Sequence, residues 1–416
     1  MTEPGEVILR PGRERSVLNR HPWLFSGAIA EARAGDGDIV DVFAADGSWL
    51  ARGYYNSHSQ ITVRLLTWER EEAIDEGFWQ RRVERALESR RRLPCLRGSV
   101  MRLINAESDG LPGLVADIYV GRADGVGPPL AVLVLQCLTL GIEQHKTELV
   151  HLLSQALKPG LLPSLGDWQA LLIYERSDVD VRQLEGLSPG SGPLVGSLPP
   201  EWLVIEEDGL RFGVDVRHGH KTGLYLDQRL NRSRVATYCR ESDVLNCFAY
   251  SGGFGVHALA GGASRVTDVE ASSVALEQGR RNTALNRLPL DWREEVAGDV
   301  FQVLRSYRDQ NRRFDVVILD PPKFAHRTSQ VQMACRGYKD INLLAMSILN
   351  RGGTLATFSC SGLVSVELFQ KVIFGAAIDA GRDVQILESL SQAPDHPISL
   401  TFPESQYLKG FVCRVW

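Results

Sequence analysis

Two short stretches in the last quarter of the chain combine side chains that can act on an organic substrate. I-L-D-P-P-K-F ends an apolar run with Asp320, and T-F-S-C-S-G ends another with Cys360. The two prolines form a stiff turn that stops a strand, because proline has no N–H to donate, and such a turn holds Asp320 at a fixed distance from a planar base. A cysteine thiolate is a nucleophile, but a free cysteine usually fills a core. The local sequence leaves both interpretations of Cys360 open.

Three further segments have the features of a nucleoside-binding site. D-V-L-N-C-F-A-Y-S-G-G-F-G runs from a predicted strand into a glycine turn, where Gly252 lets the backbone approach a ligand. The spacing is not G-x-G-x-x-G, which argues against a dinucleotide site and a dehydrogenase. Glu270 ends the next strand, 24 residues after Asn246, where an acid can accept hydrogen bonds from both ribose hydroxyls. With Asp299 in reach of an adenine amino group, the segments together predict a nucleoside-type cofactor.

Length and composition limit the class of protein that positions these residues. A chain of 416 residues is long enough for two or three domains. Its apolar content of 44% is that of a folded protein, and it contains no run of about eighteen apolar residues that would predict a membrane span. The acidic N-terminus lacks the apolar segment of a secretory signal. Seven cysteines without C-x-x-C spacing predict neither disulfides nor zinc, so we expect a cytoplasmic protein without a metal site.

Hydrophobic patterns divide the chain into three predicted domains. Short β-rich runs between glycine and aspartate turns predict a small all-β module over 1–72. A charged helix predicted over 69–92 leads into an α+β domain over 73–190, and glycine, proline and serine predict a linker at 187–200. Strands and helices alternate over 191–416, which predicts a doubly wound parallel sheet in an α/β fold. The motifs above follow the carboxyl ends of these strands, where such sheets bind ligands.

A cluster of arginines contrasts with the balanced charge of the whole chain. The net charge is −5, yet 39 of the 46 basic residues are arginine, whose planar group suits phosphates and bases. Arg10, Arg13, Arg15 and Arg20 lie close together near the N-terminus, with Glu14 among them. On charge alone this arginine patch predicts a solvated loop.

Long motifs over nearly the whole chain resemble one family. They are N-R-H-P-W-L-F-S-G-A-I and G-Y-Y-N-S-H-S-Q-I-T-V-R-L near the N-terminus, N-A-E-S-D-G-L-P-G-L and I-Y-E-R-S-D-V-D-V-R in the middle, and K-T-G-L-Y-L-D-Q-R-L-N-R, D-P-P-K-F, C-R-G-Y-K-D-I-N and F-S-C-S-G-L after them. They are similar to motifs of the large-subunit ribosomal RNA methyltransferase I family, class I S-adenosylmethionine-dependent enzymes that make 5-methylcytosine in 23S rRNA. The resemblance implies a C-terminal Rossmann-like doubly wound sheet, preceded by a PUA-like RNA-binding β-barrel and a small α+β central domain.

The same resemblance implies a cofactor site and a partner. S-adenosyl-L-methionine is the implied cofactor, with Glu270 on the ribose, Asp299 on the adenine, and Asp227 or Gln228 at the methionine end. The other implied cofactor residues are Asn246, Phe248, Ser251, Gly252 and Asp320. The arginine patch falls in the PUA-like module and is therefore implied to contact RNA, either 23S rRNA or a precursor of the large ribosomal subunit. A homodimer is one of the oligomeric states that stay open.

The implied mechanism depends on Cys360. Cytosine C5 is a poor nucleophile, and addition of the Cys360 thiolate to C6 of an unpaired or flipped base activates it. Asp320 contacts N3 and the exocyclic amine, and Lys323, Asp320 and a water are candidates for the base that removes the C5 proton. Many RNA cytosine-C5 enzymes carry a second cysteine directly after the proline of D-x-P. Here that place holds Pro322 and Lys323, and Cys335 is better explained as a packed thiol on a helix.

Two other functions remain as alternatives. One is a methyltransferase for a guanine or adenine nitrogen, because acid-Pro-Pro turns also serve those reactions, which need no thiol. The other is a non-catalytic RNA-binding factor for ribosome assembly, although the intact cofactor residues argue against it. The sequence does not specify which nucleotide is modified.

Overall fold

The computed structural model describes residues 4–93 and 96–416, which form two compact units. The first unit contains the described residues up to Glu206 with 214–226 and 394–405, and the second contains 207–213, 227–393 and 406–416. Among the described residues, no helix has the length and apolar character needed to cross a membrane. The predicted domain boundaries after residues 72 and 190 stay predictions.

A six-stranded sheet begins the first unit. Its strands are β1 (Gly5–Leu9), β2 (Trp23–Leu24), β3 (Ile29–Arg33), β4 (Ile39–Phe43), β5 (Trp49–Tyr55) and β6 (Val63–Thr67), with a short helix α1 (Arg15–Leu18) after β1. Their order is β2-β6-β5-β4-β1-β3, and only β1 and β4 are parallel. Because side chains alternate along a strand, Val7 and Leu9 of β1 and Val40 and Val42 of β4 are buried in one core. The all-β module predicted at the N-terminus is confirmed.

A second sheet in the first unit has the order β11-β10-β9-β8-β12, with β7 also paired to β8. Its strands are β7 (Val100–Asn105), β8 (Leu114–Ala123), β9 (Leu130–Cys137), β10 (Ala170–Ser177), β11 (Gly190–Val195) and β12 (Leu203–Glu207). The helices of this part are α2 (Glu76–Arg91), α3 (Leu140–Gln144) and α4 (Lys146–Ala156). The described part of the middle region is therefore α+β, as the patterns predict.

Two sequence predictions in this region were wrong in detail. The helix predicted from residue 69 begins at Glu76, because the Asp75 carboxylate caps it by accepting a 2.9 Å hydrogen bond from the Phe78 N–H. The linker predicted at 187–200 contains strand β11, which pairs antiparallel with β10. An edge strand such as β11 tolerates glycines and Pro193, since the N–H groups on its outer side have no neighbouring strand to donate to.

The second unit has a seven-stranded sheet in the order β16-β15-β14-β17-β18-β20-β19. Its strands are β14 (Asp243–Cys247), β15 (Arg265–Glu270), β16 (Arg293–Ala297), β17 (Phe314–Leu319), β18 (Leu349–Ser359), β19 (Val384–Ser391) and β20 (Lys409–Val415); β13 (Leu210–Val214), which precedes them in the chain, is not a strand of this sheet. The helices are α5 (Arg229–Ala236), α6 (Gly253–Ala260), α7 (Ser273–Leu285), α8 (Val300–Asp309), α9 (Val331–Ile348) and α10 (Val366–Ala380). Strands β14 to β18 are parallel, which confirms the predicted doubly wound sheet, and β20 is antiparallel to both of its neighbours.

The order of the strands tells where a ligand binds in this sheet. From β14 the chain first builds β15 and β16 on one side and then β17 and β18 on the other. In open α/β sheets the crevice for ligands lies beyond the carboxyl ends of the strands at this switch point. The residues that follow Cys247 and Leu319, the last residues of β14 and β17, are therefore expected to form the site.

Candidate active site

The loop after β14 makes a tight turn in an uncommon backbone conformation. Phe248, Tyr250 and Gly252 have φ values of +60°, +47° and +75°, a region that side chains other than glycine rarely adopt. A Cβ at Gly252 would lie 3.1 Å from the Cα of Gly279 on α7, so only glycine fits there. Strained backbone of this kind is concentrated at functional sites.

Glu270, at the end of β15, fixes this loop from the neighbouring strand. Its carboxylate accepts a 2.9 Å hydrogen bond from the Tyr250 N–H and a 3.0 Å bond from the Ser272 N–H. The turn after β16 also contacts the end of β15, because the Gly298 N–H donates to the Glu270 carbonyl over 3.0 Å. Asp299 follows that glycine, is exposed, and caps α8 by accepting a 3.0 Å bond from the Gln302 N–H. The predicted ribose and adenine residues are thus neighbours.

Asn246 and Ser251 lie beneath the loop and support it. The Asn246 side-chain amide donates to the Asp268 carboxylate over 2.7 Å, and Arg293 Nε donates to the other oxygen of Asp268 over 2.7 Å. All three side chains are buried. The Ser251 carbonyl accepts a 3.0 Å bond from the Asn282 side chain. Asn246 Oδ1 is buried and has no hydrogen-bond partner among the described residues.

The D-P-P-K-F turn after β17 is linked to the segment that precedes α5. Gln228 Nε2 donates to Asp320 Oδ1 over 2.8 Å, and Asp227 Oδ2 accepts a 2.8 Å bond from the Tyr407 hydroxyl. Gln228 and Asp227 are buried, whereas Asp320 is half-buried. Lys323 is exposed. The predicted methionine-end residues therefore lie against the turn that carries Asp320.

Cys360 follows β18, the strand beside β17, and is half-buried. Its thiol lies 3.8 Å from the carbonyl oxygen of Pro321, and the Ser361 hydroxyl donates to the Ala325 carbonyl over 3.1 Å. The Ser359 hydroxyl donates to the Tyr338 hydroxyl over 2.9 Å. The Ser361 contact thus holds this turn to the residue after D-P-P-K-F, and the Ser359 contact holds it to α9.

The other described thiols are less suited to ionise. Burial raises the pKa of Cys137, Cys239 and Cys413 to about 12 and also raises the pKa of Cys247. Cys335 is half-buried on α9, where burial again raises its pKa. Buried, protonated thiols are inert. Cys360 is partly exposed, as Cys335 is, and it follows β18 at the carboxyl-end crevice of the sheet.

The predicted RNA-binding arginines belong to the first unit, and no cofactor or catalytic residue named above lies in it. Arg10, Arg13, Arg15 and Arg20 are all exposed. Arg10 Nε donates to the Ile29 carbonyl over 3.0 Å, and Arg20 lies 3.9 Å from the Glu69 carboxylate. In the described part of the chain, no carboxylate lies within 4.0 Å of the guanidinium groups of Arg10, Arg13 and Arg15, so the patch keeps a positive surface.

Sequence reasoning missed two residues that border the site. Tyr338 comes from α9 and Lys409 from β20, and both are buried. The available signal for Lys409 was its rarity, because it is one of only seven lysines and falls within an apolar strand pattern. Nothing in the local pattern around Tyr338 distinguishes it from a core aromatic.

The comparisons with known proteins agree with this geometry. A family model described as a PUA-like domain matches residues 7–68, and one described as an S-adenosylmethionine-dependent methyltransferase matches residues 190–398. The solved methyltransferase SMU.776, in a complex with SAH, shares the fold with a TM-score of 0.81 at 20% identity, over 98% of this chain and 99% of that chain. Fold and site together define the class as S-adenosylmethionine-dependent methyltransferases with an N-terminal PUA-like domain.

Relatives at higher identity define the family within that class. Ribosomal RNA large subunit methyltransferase I of Pseudoalteromonas atlantica is 49% identical over 98% of this chain and 99% of its own length, and the Escherichia coli protein of the same name matches equally well. The chain belongs to the ribosomal RNA large subunit methyltransferase I family. It is an S-adenosylmethionine-dependent enzyme that methylates RNA of the large ribosomal subunit.

Proposed function

We propose that the protein methylates C5 of a cytosine in 23S rRNA, in the cytoplasm, through a covalent bond between Cys360 and C6 of the base. The observation that carries this proposal is the partly exposed Cys360 thiol, 3.8 Å from the Pro321 carbonyl of the D-P-P-K-F turn. A methyltransferase for a ring or exocyclic nitrogen needs no thiol at this place, because nitrogen lone pairs attack directly.

The residues at the carboxyl ends of the strands fit the cofactor of this class. The absence of a Cβ at Gly252 lets the backbone approach a ligand, and the half-buried Glu270 carboxylate ends the adjacent strand. Asp299 is exposed one turn further on. S-adenosylmethionine, when bound, supplies an electrophilic methyl group.

The chemistry proposed for the chain has three steps. The Cys360 thiolate forms a bond to C6, which gives C5 the electron density to take a methyl group; the bond from that methyl group to the cofactor sulfur would break, with its electron pair left on the sulfur. After transfer, a base removes the C5 proton, and the electron pair of that bond re-forms the C5–C6 double bond while the Cys360–C6 bond breaks. The thiolate is regenerated. Lys323, Asp320 and a water remain the proposed candidates for the base.

Asp320 is proposed to recognise the cytosine. Its carboxyl group contacts N3 and the exocyclic amine and stabilises the charge that develops on the ring. Gln228, which donates to Asp320 over 2.8 Å, fixes the orientation of that group. Because Gln228 is buried, its amide has little freedom to turn away. The Asp227 and Gln228 pair is further proposed to contact the methionine end of the cofactor.

The arginine patch is proposed to hold the RNA. Exposed arginines bind phosphates through charge and bidentate hydrogen bonds, and the net charge of −5 means that such contacts are local. RNA-binding proteins recognise the shape of an RNA and its unpaired bases, and depend less on a broad positive surface of their own. The substrate is 23S rRNA or a precursor of the large subunit.

Glu270→Gln is expected to weaken S-adenosylmethionine binding roughly tenfold to a hundredfold, the cost of about 1.5–3 kcal/mol for a charged hydrogen bond. The glutamine amide replaces one of the two carboxylate oxygens by an NH₂ donor. That donor faces either the Tyr250 and Ser272 N–H groups, which are also donors, or the ribose. Isothermal titration calorimetry measures the affinity. Glu277→Gln, an identical change at an exposed position of α7, is the control and keeps wild-type affinity. Equal affinities in the two variants would contradict the role of Glu270.

The decisive experiment for the proposed function uses RNA in which cytidine is replaced by 5-fluorocytidine. Fluorine cannot leave C5 as a proton does, so transfer of the methyl group leaves the Cys360–C6 bond unbroken. We expect a protein–RNA adduct that survives denaturing electrophoresis, needs S-adenosylmethionine, and maps to Cys360 by mass spectrometry. Methylation of ordinary RNA with no adduct on the fluorinated RNA would show that the target is not cytosine C5.

A further inference from the structure

Lys409 is a buried lysine beside the turn that carries Cys360. Lys409 lies on β20, where it pairs with Ser359 of β18, and it is only 2% exposed. Burial of an ammonium group costs several kcal/mol unless the charge is compensated. A lysine at this position therefore requires a physical reason.

Hydrogen bonds to backbone carbonyls explain only part of why a lysine is buried here. Lys409 Nζ donates to the carbonyl oxygens of Ser361 and Val364, each over 2.6 Å. These two carbonyls follow Cys360 in the chain, so the ammonium group fixes the turn that presents the thiol. Within the described ranges 4–93 and 96–416, no carboxylate lies within 4.0 Å of Nζ. Two of the three N–H donors of the ammonium group are thus bonded to carbonyls, and no acid among the described residues neutralises its charge.

The electrostatics of the site connect this charge to Cys360. Burial lowers the pKa of Lys409 to about 8, the Cys360 thiolate acts in the opposite direction, and Lys323 lowers the pKa further. The ammonium form therefore still predominates at pH 7. The other ionisable groups facing Cys360 are Asp320 and Lys323 from the turn after β17 and Tyr338 from α9, whose pKa burial raises to about 12.

We propose that Lys409 is a positioning residue for Cys360: it holds the turn through two carbonyls and supplies the buried positive charge that keeps the thiol ionised. This inference rests on the proposed function in one respect, that the nucleophile is the Cys360 thiolate. Lys323 is exposed and its charge is screened by water, whereas Lys409 acts in a medium of low dielectric.

The test measures the ionisation of Cys360 without any methyl transfer. The full-length protein is alkylated with iodoacetamide over a range of pH, and mass spectrometry follows the peptides that contain Cys360 and Cys335. Lys409→Gln retains two N–H donors for the carbonyls but removes the charge, and Lys409→Arg retains the charge. Cys335 serves as an internal control because it is half-buried on α9 and does not interact with Lys409.

We expect the pH of half-maximal Cys360 alkylation to rise by about one unit in Lys409→Gln, which lowers the rate at pH 7 severalfold and by at most about tenfold. Lys409→Arg keeps the wild-type profile, and Cys335 reacts alike in all three proteins. An unchanged Cys360 profile in a folded Lys409→Gln variant would overturn the proposal. If that variant fails to fold, the wild type decides: alkylation of Cys360 at no lower pH than Cys335 also overturns it.

These outcomes separate the two proposals. A shifted alkylation profile with no adduct on 5-fluorocytidine RNA leaves Lys409 in its role and removes the C5 mechanism. If an adduct forms on that RNA but the alkylation profile of Cys360 is unshifted in Lys409→Gln, the C5 mechanism is supported and the role of Lys409 in it is contradicted.

Discussion

Cys360→Ser is expected to lower methyl transfer to RNA by at least about a thousandfold, the scale on which loss of a catalytic nucleophile acts. The serine hydroxyl is almost the same size as the thiol, but at neutral pH it does not ionise and does not add to C6. The exchange leaves the Ser361 and Ser359 contacts of the turn in place. The measurement is the initial rate of methyl incorporation into RNA that lacks the modification.

Two controls make that loss specific to the nucleophile. Cys335→Ser applies the same chemical change to the other half-buried thiol of the second unit and is expected to keep wild-type turnover. Calorimetric titration of Cys360→Ser with S-adenosylmethionine is expected to give wild-type affinity. Normal turnover by Cys360→Ser, with a methylated guanine or adenine as the product nucleoside, would establish base-nitrogen methylation instead. Absence of cofactor binding by the wild type would favour an assembly factor.

The sequence was sufficient to bring the predicted cofactor residues together. Asn246, Glu270 and Asp320 lie at the carboxyl ends of three predicted strands, and the ends of parallel strands meet at one edge of a sheet. Their grouping therefore needs only the alternation of strand and helix. Glycine at 252 is likewise local information, because a left-handed turn disfavours a Cβ.

The residues that the sequence did not provide depend on pairings between distant segments. Lys409 reaches the Cys360 turn because β20 returns antiparallel between β18 and β19, an order that strand alternation does not predict. Strand β11 was taken for a linker for a related reason, since glycine and proline are tolerated at an edge that only the full sheet defines. Local patterns thus predict elements and their ends, whereas buried charges are set by which elements become neighbours.

A buried ion pair that no motif indicated supports the loop after β14. Glu207 is fully buried, and Arg232 of α5 donates to its two carboxylate oxygens over 2.8 and 2.7 Å. His257 Nε2 lies 3.5 Å from the same carboxylate. A Cβ at Gly253 would lie 3.0 Å from Arg232 Cδ, so the arginine side chain packs directly against the glycine turn. The pair therefore links α5 to the loop after β14.

Glu207→Gln is expected to destabilise the second unit by about 3–5 kcal/mol, because it leaves the Arg232 guanidinium buried without its counter-charge. Hydrogen exchange of peptides from β14 and α5, followed by mass spectrometry, measures the local free energy of opening. Glu294→Gln is the matched control: Arg312 also binds that glutamate through two bonds, of 3.2 and 2.7 Å, but the two side chains are 31% and 25% exposed. The control is expected to cost at most about 1 kcal/mol. Equal losses of free energy of opening in the two variants would show that burial of the Glu207–Arg232 pair adds nothing to stability.

The same pair predicts how stability changes in acid. Burial alone would raise the pKa of Glu207, but the nearby Arg232, His257 and Arg229 outweigh it and lower the pKa to about 2, from 4.5 in an exposed glutamate. A carboxylate whose pKa is lower in the folded state stabilises that state fully above the unfolded value, and the contribution disappears as the pH falls from about 4.5 towards 2. The wild type is therefore expected to lose stability over this window while Glu207→Gln changes less, so the difference between them narrows. A difference that stays constant down to pH 2 would mean that the Glu207 carboxylate is not the group that titrates.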